Sequence, residues 1–573
     1  MTIGLIWATA AGRHAATRLA AAWPGECTVH EGTVRDQLTQ AWSGSDAIVA
    51  FLATGATVRL LAPLLTTGSD GKHTQPGVVC VDEAGRWAVA LLGGHGGGAN
   101  ALAARVSEVL GASAVVTTGT DAAGLPGLDT LGFAVADPDA VAPVSRALLD
   151  GEPVHLRSDQ VWPLPALPAN LGDHPGATRT VLITDRRVAH AGDRSVLVLR
   201  PPSLVLGIGA SRGVSAEEIA ELVARVLADA GLAAESVCAA ATADVKADEA
   251  GLVAYAAGRG LPLVTFPAAA LAQVAVPNPS EVVRAAVGTP SVAEAAALLA
   301  AGARGRGAAL VAGKTASAMA TVAVARLVPM GRLAVIGLGP GAADLRTPRA
   351  TAQLRASSIV VGLDQYVDQV RHLLRPGTRI VDSGLGAEEE RARSAVELAR
   401  QGHAVALIGS GDAGVYAMAS PALEFAGDDI EVTAVPGVTA ALAASSLLGA
   451  PLGHDHVYLS LSDLHTPWEM IERRLAAAAQ ADLVVCLYNP RSARRTRQLP
   501  AALAILGAHR PPDTPIGLVR DASRPGERIA LTTLDTIDPA EVDMNTVVIV
   551  GASTTRTVAG RMVTPRGYAW MAR

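Results

Sequence analysis

Four glycine-rich turns follow apolar runs in the C-terminal part of the chain. They are Gly337-Leu-Gly-Pro-Gly-Ala-Ala-Asp344, Gly409-Ser-Gly-Asp412-Ala-Gly-Val-Tyr416, Val435-Pro-Gly-Val-Thr439-Ala and Gly551-Ala-Ser553. Glycines at strand ends let backbone N–H and C=O groups approach a flat, polar ligand, and the carboxyl ends of strands are where such a cleft opens. Four such turns in this order predict one ligand site built largely from backbone.

Several other motifs imitate familiar chemistry. Gly337 to Ala342 satisfies a loose dinucleotide fingerprint, but Thr347-Pro348 offers the better helix start, an N-cap followed by proline at N1. Ala308 to Thr315, containing Lys314, approaches a phosphate-binding loop; its first position is alanine and its middle reads as a strand. Gly209-Ala-Ser211-Arg-Gly213 has the form of a nucleophile elbow, yet Ser215 and Glu218 form a capping-box pair that starts the helix later. No histidine between His190 and His372 can serve Ser211 as a base, so a turn that binds an anionic group is the better reading. His454 and His456 alternate on one strand face, with His465 nearby, but no carboxylate or cysteine at ligand spacing completes a site, so no metal is expected.

The elements around these residues read as α/β throughout. Short Val/Ile/Leu runs alternate with Ala/Leu/Arg/Glu stretches of helical period, the pattern of parallel sheets covered by helices. Examples begin at Asp46, Ser113, Ser203, Leu333, His403 and Asp482. With 573 residues, 50% hydrophobic and 17% charged, the chain holds several domains. A net charge of −6 gives no footprint for nucleic acid or an acidic membrane surface. Cys27, Cys80, Cys238 and Cys486 are too scattered for a zinc knuckle or disulfide framework. The N-terminus reads as a first strand, and prolines and polar residues interrupt the uncharged stretches Leu261 to Ser280 and Val432 to Gly453; a soluble, cytoplasmic protein is expected.

Composition marks the joints. Prolines from Pro153 to Pro202 predict a small irregular module, and an Ala/Val-rich helix is expected to end at Pro329. The expected domains are 1–135, a proline-rich 136–202, 203–328 and 332–573. The only lysines are Lys72, Lys246 and Lys314, a scarcity that coding bias toward arginine explains.

Residues 332–573 resemble the tetrapyrrole (precorrin) methyltransferases, two-lobed enzymes that hold S-adenosylmethionine between their lobes. Beyond the glycine turns, the resemblance rests on Val361-Gly-Leu-Asp364-Gln-Tyr366, Leu459-Ser-Leu-Ser-Asp463-Leu-His-Thr-Pro-Trp468, Leu487-Tyr-Asn489-Pro-Arg491 and Thr554-Thr-Arg556. The stretch at 459–468 and the turn at 411–416 resemble the precorrin-3B C-17 branch, which also contracts the macrocycle. The resemblance implies Gly339 and Pro340 at the cleft entrance, with Asp412, Val415 and Tyr416 lining the cofactor pocket. It places Thr439, Ala440, Leu487, Tyr488, Asn489, Gly551 and Ala552 around methionine and adenine. Asp364, Asp412 and Asp463 are the candidate bases for ring contraction, each with a structural alternative. S-adenosylhomocysteine would be the product, and a homodimer is implied.

Residues 1–325 resemble cobalt-precorrin-5A hydrolase, which opens a lactone and releases a two-carbon aldehyde. The motifs are Ala53-Thr-Gly55-Ala-Thr-Val-Arg59, Gly93-Gly-His95-Gly-Gly-Gly-Ala-Asn100, Thr117-Thr-Gly-Thr-Asp121, Gly207 to Gly213, Asp244-Val-Lys246-Ala-Asp-Glu249, Val276-Pro-Asn278-Pro-Ser-Glu281, Ser291-Val-Ala-Glu294 and Gly313-Lys314-Thr315. Lactone opening needs an activated water and an oxyanion donor. His95, oriented by Asp121, would be the base, and the N–H groups of residues 93–98 an anion nest; the alternative is that this loop only grips a substrate carboxylate. Arg212, Lys246, Glu249 and Lys314 would hold the macrocycle or form salt bridges.

Both halves thus imply corrin-ring synthesis. The leading expectation is methylation of precorrin-3B at C-17 with ring contraction to precorrin-4, joined to lactone hydrolysis. The alternatives are a methyltransferase acting on a cobalt-loaded factor, an N-terminal half that binds tetrapyrrole without catalysis, and a nicotinamide-dependent oxidoreductase.

Overall fold

A computed structural model describes residues 2–67, 75–189, 193–384 and 386–567; Lys72 and His190 lie outside them. The chain divides into two compact units. One comprises Met1–Val161, Pro165–Pro329 and Arg375–Gly377, and the other Trp162–Leu164, Met330–Leu374 and Thr378–Arg573.

The first unit is built on three sheets. In the N-terminal sheet the strands run in the order Cys27–Val29, Ile3–Trp7, Ala47–Phe51, Gly77–Val81, Trp87–Leu92, Ser113–Val115. Strand residues alternate between two apolar clusters, which is why these runs are apolar without interruption. Ile3, Leu5, Val49 and Phe51 pack with Leu19 and Leu102 of the helices Ala10–Ala22 and Ala99–Leu110. Ile6, Ile48 and Ala50 pack with Leu38 and Ala41 of Val34–Gly44, a helix started by a Thr33–Asp36 capping box.

The proline-rich stretch is not irregular. Val154–Ser158, Leu171–Gly172, Arg179–Ile183 and Val196–Arg200 join Ala134–Val135 in a five-stranded middle sheet. The prolines fall between these strands, where no ladder donor is missed, so they punctuate the sheet instead of excluding it.

The third sheet runs Leu263–Phe266, Val237–Ala243, Leu204–Ala210, Ala320–Val328, Gly307–Ala316. The segment before Pro329 is therefore a strand, not the expected helix. It pairs antiparallel with both neighbours and is buried on both faces, so its apolar run has no period to separate the two structures. Its β-branched residues Thr321, Val322, Val324 and Val328 favour the strand. Arg326 of this strand donates through Nε and Nη2 to the buried Asp185 at 2.6 and 2.7 Å, and Ser203 Oγ donates to the same carboxylate at 2.6 Å, binding the middle sheet to the third.

The second unit has two lobes. The first-lobe sheet is parallel throughout, in the order Arg379–Ser383, Ile359–Leu363, Ala404–Gly409, Gly331–Gly337, Ile430–Val435. As expected, Thr347 caps the helix Pro348–Ala356. The helix Ala440–Leu448 follows the last strand of this sheet and packs on the second-lobe sheet, ordered His456–Ser460, Val484–Tyr488, Thr546–Val550, Pro515–Arg520, Arg528–Thr533. A small sheet of Gly449–Ala450, Arg561–Val563 and Arg556–Val558 completes the unit. The two uncharged stretches each contain a short strand and short helix, and no helix among the described residues is long and apolar enough to cross a membrane.

Candidate active sites

In the second unit, three neighbouring parallel strands end at Gly337, Gly409 and Val435, and their loops cross at backbone contact. Gly339 N donates to Gly411 O at 3.0 Å and Gly411 N to Gly339 O at 2.8 Å. A Cβ on Gly437 would stand 2.2 Å from Gly411 O, and one on Gly337 would stand 2.6 Å from it, so only glycine fits there. Asp412 binds the crossing together. Its Oδ1 accepts from Gly414 N at 2.8 Å and its Oδ2 from Gly437 N at 2.9 Å. Beside it the buried Gly409 faces open space, with nothing within 4 Å of where its Cβ would be.

The side wall is aromatic. Tyr488, at the carboxyl end of its strand, lies 2.6 Å from Thr439 Oγ1 through its hydroxyl, which also accepts from Ala441 N at 3.0 Å. Ala440 begins that helix, and Val415 and Tyr416 follow Asp412. Tyr416, at φ +51°, packs against Tyr488 with ring centres 5.3 Å apart and planes tilted by 53°, and donates its hydroxyl to Tyr458 O at 2.9 Å. Tyr458 was not singled out in the sequence; strand alternation puts it on the face of His456, 5.6 Å away, and 5.8 Å from Tyr488. Asn489, also left-handed at φ +49°, donates from Nδ2 to Ser460 Oγ at 3.1 Å, while Leu487 is fully buried in the core beneath.

Burial raises the hydroxyls of Tyr416 and Tyr488 above their ordinary value, and pushes Tyr458 up to about 12, with Cys486 and Tyr488 adding to the effect. Burial alone pushes the Cys486 thiol up to about 12. The folded values of Cys486 and Tyr458 lie above the ordinary 9.0 and 10.0, so at high pH the unfolded chain loses protons that the folded one keeps. Their contribution to stability is complete below about pH 9 and falls as pH rises from there toward 12. Urea melts from pH 7 to 11 should show that decline, and Cys486 should resist iodoacetamide at pH 8 until the chain unfolds.

Not every candidate joins this cluster. The strand leading to Gly551 runs antiparallel to Val484–Tyr488, with Val548 opposite Leu487 and Val550 opposite Val485. Gly551 and Ala552 therefore stand at the opposite end of the sheet from Tyr488 and Asn489, about 13 Å away at roughly 3.3 Å per residue. There Gly551 N donates to Pro515 O at 3.0 Å and Ala552 N to Thr555 Oγ1 at 2.8 Å. Asp364 is exposed at the start of the helix Asp364–Val370. Asp463 is exposed and accepts from Gln498 Nε2 at 2.9 Å. Gly339 and the buried Pro340 sit at the crossing, and Pro340 O accepts from Arg524, a residue the sequence reading missed.

In the first unit, His95 and Asp121 meet. His95 Nε2 lies 2.8 Å from Thr120 Oγ1 and 3.1 Å from Asp121 Oδ2, and the ring is mostly buried. Asp121 Oδ2 also accepts from Thr118 Oγ1 and, at 3.0 Å, from Asn100 Nδ2. A Cβ on Gly127 would press to 3.1 Å on His95 Cγ and Nδ1, so glycine there leaves the ring its place. Gly98, Ala99 and Asn100 donate to His95 O, Gly93 O and Gly94 O, while no described hydrogen bond uses the N–H groups of residues 95–97.

Beyond the parallel strand ends of the third sheet, Arg212 lies in a turn and Lys246 closes the 3-10 helix Asp244–Lys246, and Glu249 Oε1 accepts from Gly213 N at 2.8 Å. Lys314 stands apart, at a register shift in the strand Gly307–Ala316. Its N donates to Oε1 of the fully buried Glu294 at 3.0 Å, and its Nζ donates to Asn278 O at 3.1 Å. Ser211 lies in the turn before the Ser215-capped helix Ala216–Asp229. The capping box is half formed, because Glu218 accepts from Ser317 Oγ and Met319 N instead of turning back to Ser215.

Residues 332–538 match the tetrapyrrole (corrin/porphyrin) methylase model, residues 204–325 the cobalamin synthesis G C-terminus and residues 36–121 its N-terminal region. A probable cobalt-factor III C(17)-methyltransferase from Salmonella typhimurium is 48% identical over 242 residues, 41% of this chain and 99% of that protein. A precorrin-3B C(17)-methyltransferase from Sinorhizobium sp is 40% identical over 250 residues, 42% of this chain and 98% of that protein. With a cobalt-factor III methyltransferase from Priestia megaterium, identity is 44% over 245 residues, 42% of this chain but only 45% of that longer protein. The chain belongs to the tetrapyrrole methylase family. Ahead of its methylase region it carries both regions of the cobalamin synthesis G proteins.

Proposed function

We propose that this chain serves cobalamin biosynthesis with two activities. Residues 332–573 methylate precorrin-3B at C-17 and contract the ring to precorrin-4, and the N-terminal region opens the lactone of cobalt-precorrin-5A. The observation that carries the first activity is the crossing of three glycine loops at parallel strand ends, walled by Thr439 and Tyr488.

The residues present fit S-adenosylmethionine as methyl donor: the open space beside Gly409 and the backbone of the crossing form a cradle that side chains would fill. Bound there, the donor supplies an already activated methyl group and leaves as S-adenosylhomocysteine. The chain's own task is positioning. Asp412 fixes the loops, and Thr439 and Tyr488 fix the start of the following helix against the second lobe. For the lactone, an Nε2–H held by Asp121 would leave His95 Nδ1 free to take a proton from water, with the N–H groups of residues 95–97 available to an oxyanion.

A cobalt-loaded substrate is the second reading, favoured by the name of the 48%-identical relative. Mass spectrometry after incubation with S-adenosylmethionine and either precorrin-3B or cobalt-factor III tests both. One methyl gained on the metal-free substrate supports precorrin-3B; gain only on the cobalt form moves the assignment, and no gain on either overturns it.

A further inference from the structure

Arg524 lies in the turn after the strand Pro515–Arg520, at the same end of the second-lobe sheet as Tyr488. The turn holds two non-glycine residues in the left-handed region, Asp521 at φ +49° and Ser523 at φ +61°, which side chains avoid unless the surroundings impose it. Arg524 N donates to Asp521 O at 2.9 Å and Ser523 N to Glu527 Oε2 at 2.7 Å, fixing the turn in that shape. The result is a guanidinium aimed at the first lobe. Its Nε donates to Pro340 O at 2.6 Å and its Nη2 to Ser410 Oγ at 2.7 Å.

Those two acceptors belong to different loops, one following Gly331–Gly337 and the other following Ala404–Gly409. Gly341, at φ +147°, is shaped to the same contact, since a Cβ there would stand 2.5 Å from Arg524 Cγ. A planar fork can hold a carbonyl and a hydroxyl in fixed relation, which a lysine ammonium on its flexible stem does not.

We propose that Arg524 is a positioning residue for methyl-donor binding. It sets the spacing of the 339–341 loop and Ser410 against the second lobe, and so the affinity of the cleft between them. The inference rests on the methyl-donor reading above. It acts through Pro340 and Ser410, and its effect is on donor affinity more than on turnover at saturation.

Calorimetric binding of S-adenosylhomocysteine, with KM for S-adenosylmethionine and kcat measured separately, tests this on the full chain. Arg524→Ala should weaken binding at least about 10-fold and raise KM in parallel, with kcat changed less than about 3-fold. Arg524→Lys should restore little of the loss, because charge without the fork does not hold both acceptors. Ser410→Ala, which removes one acceptor and leaves the turn intact, should weaken binding by about 3-fold and keeps the test alive if Arg524→Ala does not fold. A folded Arg524→Ala with affinity within 2-fold of the unaltered chain overturns the inference, even if its melting temperature falls. Failure of the unaltered chain to bind S-adenosylhomocysteine overturns the methyl-donor reading itself, and the inference with it.

Discussion

Asp412→Ala should cut methyl transfer at least about 100-fold. The carboxylate accepts one backbone N–H from its own loop and one from the loop after the neighbouring strand. Hydrogen bonds to a charged group contribute about 1.5–3 kcal/mol each. Losing two at the lower figure costs about 3 kcal/mol, and about 1.4 kcal/mol is a factor of ten. The glycine crossing has no side chain to take over, since Gly414 and Gly437 offer only their amides. Asp412→Asn keeps one acceptor and should lose about 10-fold. Initial rates with S-adenosylmethionine, beside calorimetry with S-adenosylhomocysteine, measure both; an alanine variant within 3-fold of the unaltered chain would make Asp412 dispensable.

His95→Ala should lower aldehyde release from the lactone by roughly 100-fold to 10,000-fold, the range for removing a general base. Asp121→Asn should cost less, because Thr120 Oγ1 still reaches His95 Nε2 at 2.8 Å. Methyl transfer by the same preparation serves as the control for folding. If release is unchanged in His95→Ala, the loop's role is reduced to gripping a carboxylate. If the unaltered chain releases no aldehyde, the N-terminal half is a binding module.

Much of the fold was legible because apolar runs and caps are local signals. Thr347-Pro348 announced a helix start, and the runs beginning at Asp46, Ser203 and His403 became strands. Residues 320–328 were misread because a strand buried on both faces has no polar face to reveal its period. The proline-rich segment was misread because composition counts prolines without saying that they lie between strands.

Strand direction set the limit on the site. Glycine turns after apolar runs converge only when the strands are parallel, which holds for the three ending at Gly337, Gly409 and Val435. The strand before Gly551 is antiparallel to its neighbours, and the same reasoning sends that turn to the opposite end of the sheet. The sequence does not mark direction. Arg524 and Tyr458 went unnoticed for a related reason: each becomes informative only when a strained turn or an edge strand brings it against a loop more than forty residues distant.

A floor made of crossing backbone has consequences for how such a site can diverge. Point substitution reshapes a pocket by trimming or extending side chains; at Gly337 and Gly437 there are none to trim and no room to extend one, and Gly411 is held at φ +68°, where a side chain is strained. Side chains outside the crossing, such as His456 beside Tyr458, can change residue by residue, whereas Tyr488 is tied to Thr439 and Ala441.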